Sequence, residues 1–185
     1  MKEPTQSSFW KEFMEYLKMI IFVVAVVLVV NNFLLINAKI PSESMEQTIM
    51  TGDRVFGNRL AYVFGEPERY DIIIFKYPDN EKELFIKRII GMPGETVEIK
   101  DGKVYINGSE EPLKDSFTPE TPVGDYGPYT VPEDSYFVLG DNRNNSEDSR
   151  FAEVKNVKKK YIEGKLWFQT APLGKIGFVK HNMKK

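Results

Sequence analysis

Ser42 and Ser44 stand two residues apart in the segment Ile40-Pro41-Ser42-Glu43-Ser44-Met45. Pro41 fixes the backbone just before the pair, so one hydroxyl can act as a nucleophile and the other as a nearby donor. A plain turn would carry the same residues. A serine nucleophile also needs a base to activate it. The chain holds no cysteine and a single histidine, His181, four residues from its C-terminal end; that histidine reads as a solvated tail residue, not a catalytic one. Lys87 is the other candidate, in the apolar run Phe85-Ile86-Lys87-Arg88-Ile89-Ile90. A lysine in such a run either snorkels to the surface or is buried. Burial lowers its pKa by up to several units and leaves a neutral amine that can accept a proton. The segment from Gly140 to Arg150 (GDNRNNSEDSR) is dense in small polar and charged residues. That is more than an idle turn needs, although a nucleotide or metal loop could look similar.

These groups need elements to hold them. At 185 residues, with 42% hydrophobic and 13% aromatic content, the chain can build one ordinary core plus an appendage. The formal net charge of −2 gives no basic field for nucleic acid. Residues 19–30 (MIIFVVAVVLVV) are uninterruptedly apolar, and residues 33–36 continue the run after Asn31 and Asn32. Eighteen residues from 19 to 36 make about 27 Å of helix, close to the thickness of a bilayer core. No amphipathic stripe marks it as a core helix, and Ile36-Asn37-Ala38 offers no small-x-small cleavage site. The expectation is an uncleaved transmembrane anchor over 19–36, behind a segment over 1–18. Lys2, Lys11 and Lys18 precede it and only Lys39 closely follows, which predicts a cytoplasmic N-terminus and a domain over 37–185 outside.

That domain reads as mostly β. Residues 70–77 and 83–91 are rich in β-branched and aromatic types, with a turn at Pro78-Asp79-Asn80. Residues 96–100 and 103–107 flank Asp101-Gly102, a two-residue hairpin signal. Short strands are expected at 135–140 and 165–169. Residues 110–133 carry five prolines and read as an irregular insertion. The one soluble helix expected is a short one near 151–161.

Three blocks, PSESM (41–45), KRIIGMPGE (87–95) and GDNRNNSEDSR (140–150), follow one N-terminal anchor in this order. In that arrangement the chain resembles the bacterial type I signal peptidases, and the single anchor and small insertion resemble the Gram-positive members. The resemblance implies a membrane-bound serine endopeptidase that cuts signal peptides from exported preproteins after small residues at the first and third positions before the cut. It implies Ser44 as nucleophile and Lys87 as general base, with Ser42 joining the Ser44 N–H in an oxyanion hole. By the same resemblance Ser146 orients the lysine, Asp148 and Arg150 form a supporting ion pair, and Ile40, Ile49, Val55, Phe85 and Ile86 line the substrate pockets. Asp141, Asn142 and Arg143 read as structural. The family usually has Pro-Thr where this chain has Gln47-Thr48, and losing that proline should loosen the turn after the nucleophile. The expected partners are exported preproteins, bound as an extended strand, and membrane lipid.

Other classes fit less well. Self-cleaving repressor and mutagenesis proteins share a Ser–Lys dyad but are cytoplasmic, and no DNA-binding module is visible here. The S-x-x-K match at Ser8-Phe9-Trp10-Lys11 lies before the anchor. A non-enzymatic β scaffold on a membrane stalk is the third option, and mutation of Ser44 separates it from the enzymes. No H-E-x-x-H, D-T-G or glycine-rich phosphate loop is present, so no metal and no cofactor are expected. Lys155, Lys158, Lys159 and Lys160 read as a solvated face.

Overall fold

The computed structural model describes residues 6–181 except 79, 119, 153 and 155. Contacts divide the chain into two compact units, one ending at Leu35 and one running from Ile36.

The first unit is helix α1 (Gln6–Val29), continued by one π-helical turn over Val30–Leu34. Between Phe9 and Leu34 it is long and apolar enough to cross a bilayer, and none of the span is buried in protein. Its Val- and Ile-rich composition is a poor helix former in water. In lipid, where every backbone group must be paired within the segment, helix is the available conformation. The helix begins earlier and stops sooner than the apolar run suggests. The run's last residues, Leu35 and Ile36, belong to strand β1 (Leu35–Lys39), and Ile36 packs in the core of the second unit with Ile40, Met45 and Ile49.

The second unit is the mostly β domain expected from the sequence. Its larger sheet contains β2 (Arg54–Asn58), β3 (Ile72–Tyr77) and the long β4 (Asn80–Gly91). The smaller one is built from β5 (Thr96–Lys100), β6 (Lys103–Ile106) and β7 (Tyr126–Thr130). Strands β8 (Ser135–Leu139), β9 (Val157–Lys158), β10 (Ile162–Ala171) and β11 (Gly177–Phe178) complete the large sheet. Its order is β1-β2-β10-β3-β4-β8-β9, with β11 against β10; the small sheet runs β6-β5-β7. The β5–β6 turn is the one its sequence predicts: Asp101 and Gly102 both have positive φ, as a type I′ hairpin requires.

Strand β3 explains why an unbroken apolar run is a strand here. Ile72 and Ile74 face one core cluster, and Ile73 and Phe75 face another. A strand covered on both faces has no polar side to alternate with. Strand β4 has a different asymmetry. It pairs with β3 from Asn80 to Arg88 but with β8 only from Arg88 onward. Among the described residues the other edge of β4, from Asn80 to Lys87, pairs with no strand.

Two expectations are corrected. The 110–133 segment is not wholly irregular, because it supplies β7, which pairs with β5. The helix expected near 151–161 does not form among the described residues. Tyr136 pairs with Val157 and Ser135 with Lys158, so the local helical spacing yields to closure of the β8 edge, and only one 3-10 turn, Lys159–Tyr161, remains. Lys158, Lys159 and Lys160 are exposed, Lys159 pairs with Glu66, and Lys155 lies outside the described residues.

Candidate active site

Ser44 sits in a 3-10 turn, Glu43–Met45, at the edge of the first core cluster. The turn is anchored beneath by the buried side chains of Met45 and Ile49. Backbone bonds close it, from Glu46 N to Glu43 O at 3.0 Å and from Ile49 N to Met45 O at 2.9 Å. Ser44 itself is buried, while Ser42 is exposed, with its Oγ 3.3 Å from Ser44 Oγ. Gln47 takes a φ of 80°, a left-handed conformation that a proline ring cannot enter. The turn is therefore of a different kind from one carrying proline there, and not the same turn loosened.

Strand β4 brings Lys87 to this hydroxyl. The Lys87 side chain is almost wholly buried, and its Nζ lies 2.7 Å from Ser44 Oγ and 5.4 Å from the centre of the Phe85 ring. Burial pushes the Lys87 pKa down to about 8, against the opposing pull of Asp148, Glu147 and Asp141. Near neutrality such a lysine can surrender and retake a proton, which an ordinary surface lysine cannot.

The loop after β8 forms the third wall. Ser146 is nine-tenths buried, and its Oγ has no hydrogen-bond partner among the described residues. Gly140 allows the close approach, since a Cβ there would stand 2.2 Å from Ser146 Oγ and 2.5 Å from Ser44 O. Asp148 and Arg150 form an ion pair, with Arg150 Nε 2.8 Å and Nη2 2.9 Å from the Asp148 carboxylate. Asp148 Oδ2 also accepts from Gly140 N, and Arg150 Nη2 donates to Arg143 O. The pair thus shapes the loop, and neither residue lines the groove that holds Ser44 and Lys87.

Sequence reasoning missed a second, deeper ion pair. Arg88 and Asp141 are both fully buried and meet through two bonds, at 2.8 and 2.7 Å. Thr48 Oγ1 donates to the same carboxylate at 2.5 Å, which ties the nucleophile turn to it. Arg88 also donates to Tyr70 O and His181 O, and the Phe117 ring covers its guanidinium at 3.5 Å. His181 is therefore not a solvated tail residue. Its Nδ1 accepts from Ile72 N at 3.0 Å, and burial pushes its pKa down to about 4. A second missed pair joins Arg143 to Asp115 of the 110–133 segment at 2.5 Å. The only sequence cue to these partners is the crowding of charge in the third block.

Ser42, Ser44, Lys87 and Ser146 line one groove of about 960 Å³. Ile40, Phe85 and Ile86 line it too, whereas Ile49 and Val55, expected in the pockets, are fully buried core residues. The free edge of β4 forms one side, and Pro41 and Ser42 belong to its lining. A buried hydroxyl and a buried amine at hydrogen-bond distance, in a groove open to an extended chain, can carry out nucleophilic acyl transfer.

Comparison with known proteins shows the family. Residues 13–170 match the family "Signal peptidase, peptidase S26". A signal peptidase I of Leptolyngbya laminosa is 40% identical over 89% of this chain and 82% of its own. One from Bacillus amyloliquefaciens is 43% identical over 74% of each chain. A solved signal peptidase I from Enterococcus faecalis V583 is 39% identical, covers 55% of this chain and 97% of its own, and superposes with a TM-score of 0.48. The chain belongs to the signal peptidase family, peptidase S26, whose members are serine endopeptidases.

Proposed function

We propose that this protein cuts signal peptides from exported preproteins, with Ser44 as nucleophile and Lys87 as general base. The observation that carries the reading is the 2.7 Å approach of a buried lysine amine to the serine hydroxyl. Neutral Lys87 takes the Ser44 proton as Oγ attacks the scissile carbonyl. Ser42 Oγ and the Ser44 N–H receive the developing oxyanion, and one such donor is typically worth about 3–4 kcal/mol. The carbon–nitrogen bond breaks as Lys87 hands the proton to the leaving amine, and an ester to Ser44 remains. A water molecule, deprotonated by Lys87, then attacks that ester and frees the serine. Ser146, buried and on the same groove, steers the amine between these two tasks.

The substrate lies as an extended strand on the unpaired edge of β4. Ile40, Phe85 and Ile86 line the groove, and they are the residues that select small side chains before the cut. The apolar helix anchors the enzyme in the bilayer. Lys11 and Lys18, in the first turns of the helix ahead of the uninterrupted apolar run that starts at residue 19, favour a cytoplasmic N-terminal end and a β domain outside.

The test is incubation of the purified protein with a preprotein, beside Ser44→Ala and Lys87→Ala. Both variants should be inactive while remaining folded; cleavage retained by either one removes the assignment.

A further inference from the structure

Glu43 stands between the two serines, and no step above uses its side chain. Its Oε2 accepts a hydrogen bond from Asn145 Nδ2 at 2.7 Å. Its backbone oxygen accepts one from Asn142 Nδ2 at 3.2 Å, and the neighbouring Ser44 O accepts from Asn142 N at 3.1 Å. Glu43 precedes the nucleophile by one residue, and Asn145 precedes Ser146 by one. The side-chain bond therefore couples the two loops next to the reacting groups, and both partners line the groove.

The mechanics of the turn make this bond important. Met45 and Ile49 hold it from below through the core, which leaves its upper side, with Glu43 and Ser44, able to tilt about that anchor. The seam to Asn142 and Asn145 restrains the upper side. Ser44 Oγ must stay within bonding distance of Lys87, and a misplacement of about 1 Å can cost about 100-fold in rate. The bond is exposed, so it adds little to global stability. A substrate strand in the groove shields it from water, which strengthens it when positioning matters.

We propose that Glu43 and Asn145 form a brace that positions Ser44 against Lys87, with the carboxylate acting as hydrogen-bond acceptor and not as a charge. The inference rests on the Ser44–Lys87 reading of the site.

The test measures kcat, KM and Tm of the full chain on a soluble peptide that spans a cleavage site, for Glu43→Ala, Glu43→Gln, Asn145→Ala and the Glu43→Ala/Asn145→Ala double variant. Each alanine variant should lose about 10-fold in kcat with KM changed less than about twofold and Tm nearly constant. The double variant should be no slower than either single one, because both remove the same bond. Glu43→Gln keeps an acceptor oxygen and should recover at least about half of the lost activity. Wild-type kcat in Glu43→Ala overturns the brace, and a change confined to KM overturns it by making Glu43 a substrate contact. Glu43→Gln as slow as Glu43→Ala, or multiplicative losses in the double variant, overturn it as well. Ser44→Ala and Lys87→Ala run alongside: cleavage by either one overturns the underlying mechanism, whereas their inactivity beside an unaffected Glu43→Ala overturns the brace alone.

Discussion

Lys87 and Arg88 are successive residues of β4, and their side chains leave the strand in opposite directions. Lys87 reaches Ser44, and Arg88 reaches Asp141. Alternation along the strand thus separates a lysine whose pKa burial lowers from an arginine that keeps its charge. Each anchors a different part of the nucleophile turn, Lys87 at Ser44 and Arg88 through Asp141 at Thr48. The proposed base and the scaffold of the proposed nucleophile are therefore set by one piece of backbone.

The rate should follow the charge on Lys87. Its pKa is held near 8 by burial, so kcat/KM should rise with pH and level off above about 8. Lys87→Arg should be inactive across that range, because a guanidinium stays protonated. A flat profile between pH 6 and 10 with a peptide substrate would exclude a titrating base in the free enzyme.

The same shift predicts a stability change of known sign. Between about pH 8 and 10.5 the unfolded chain holds a proton on Lys87 that the folded chain lacks, so stability rises with pH through that window. Below pH 8 the fold carries a buried ammonium at a cost of about 3 kcal/mol. We expect Lys87→Met to be inactive yet harder to unfold at pH 7, with its advantage shrinking toward pH 10.5. Urea titrations at pH 7 and 10 measure this, and an advantage independent of pH would refute it.

Arg88→Ala should be among the most damaging substitutions in the protein. It leaves the Asp141 carboxylate fully buried without its partner, a change that typically costs about 3–5 kcal/mol. Thr48→Val should cost less and act on kcat, since it removes the tie between the turn and that carboxylate and a long bond from Arg88 but leaves the ion pair in place. Thermal unfolding beside peptide kinetics separates the two. Equal stability losses would mean that burying Asp141 without Arg88 costs no more than losing the Thr48 tie.

Much of this was legible in the sequence because it is local. The three blocks fall on the three walls of the groove, and Asp101-Gly102 makes its hairpin in place. Tertiary partners were less so. Nothing around Asp115 or Phe117 announces that a proline-rich segment braces Arg143 and covers Arg88. Likewise, Ile49 and Val55 have the same composition whether they face a groove or a closed core, and only the packing decides.

Gln47 offers a direct check on the turn. Its φ of 80° suits glycine and excludes proline. We expect Gln47→Gly to retain activity and Gln47→Pro, despite restoring the family's usual residue, to lower kcat. A proline variant as active as the wild type would mean that the turn can adopt a second conformation with Ser44 still in place.

The boundary between anchor and enzyme gives the last prediction. By hydropathy alone the span ends at Ile36, which selects a truncated chain beginning at residue 38 as the soluble form. The structure places Ile36 in the core, on β1, with Ile40, Val55 and Leu166. Cutting there removes a buried isoleucine worth about 1.5–3 kcal/mol, together with three of the five residues of an edge strand. A chain beginning at residue 35 keeps both. We expect the chain from 35 to fold and to cut short peptides at the full-length rate, and the chain from 38 to unfold at lower urea concentration. Neither should process preproteins embedded in vesicles as well as the full chain does, because shared residence in one bilayer raises their effective concentration without new contacts. A loss of about 10-fold or more on vesicle-bound substrate, with unchanged peptide cleavage, would assign α1 the role of an anchor. Equal rates on both substrates would show that the helix contributes nothing to substrate encounter, and equal stability of the two truncated chains would show that Ile36 does not belong to the folding unit.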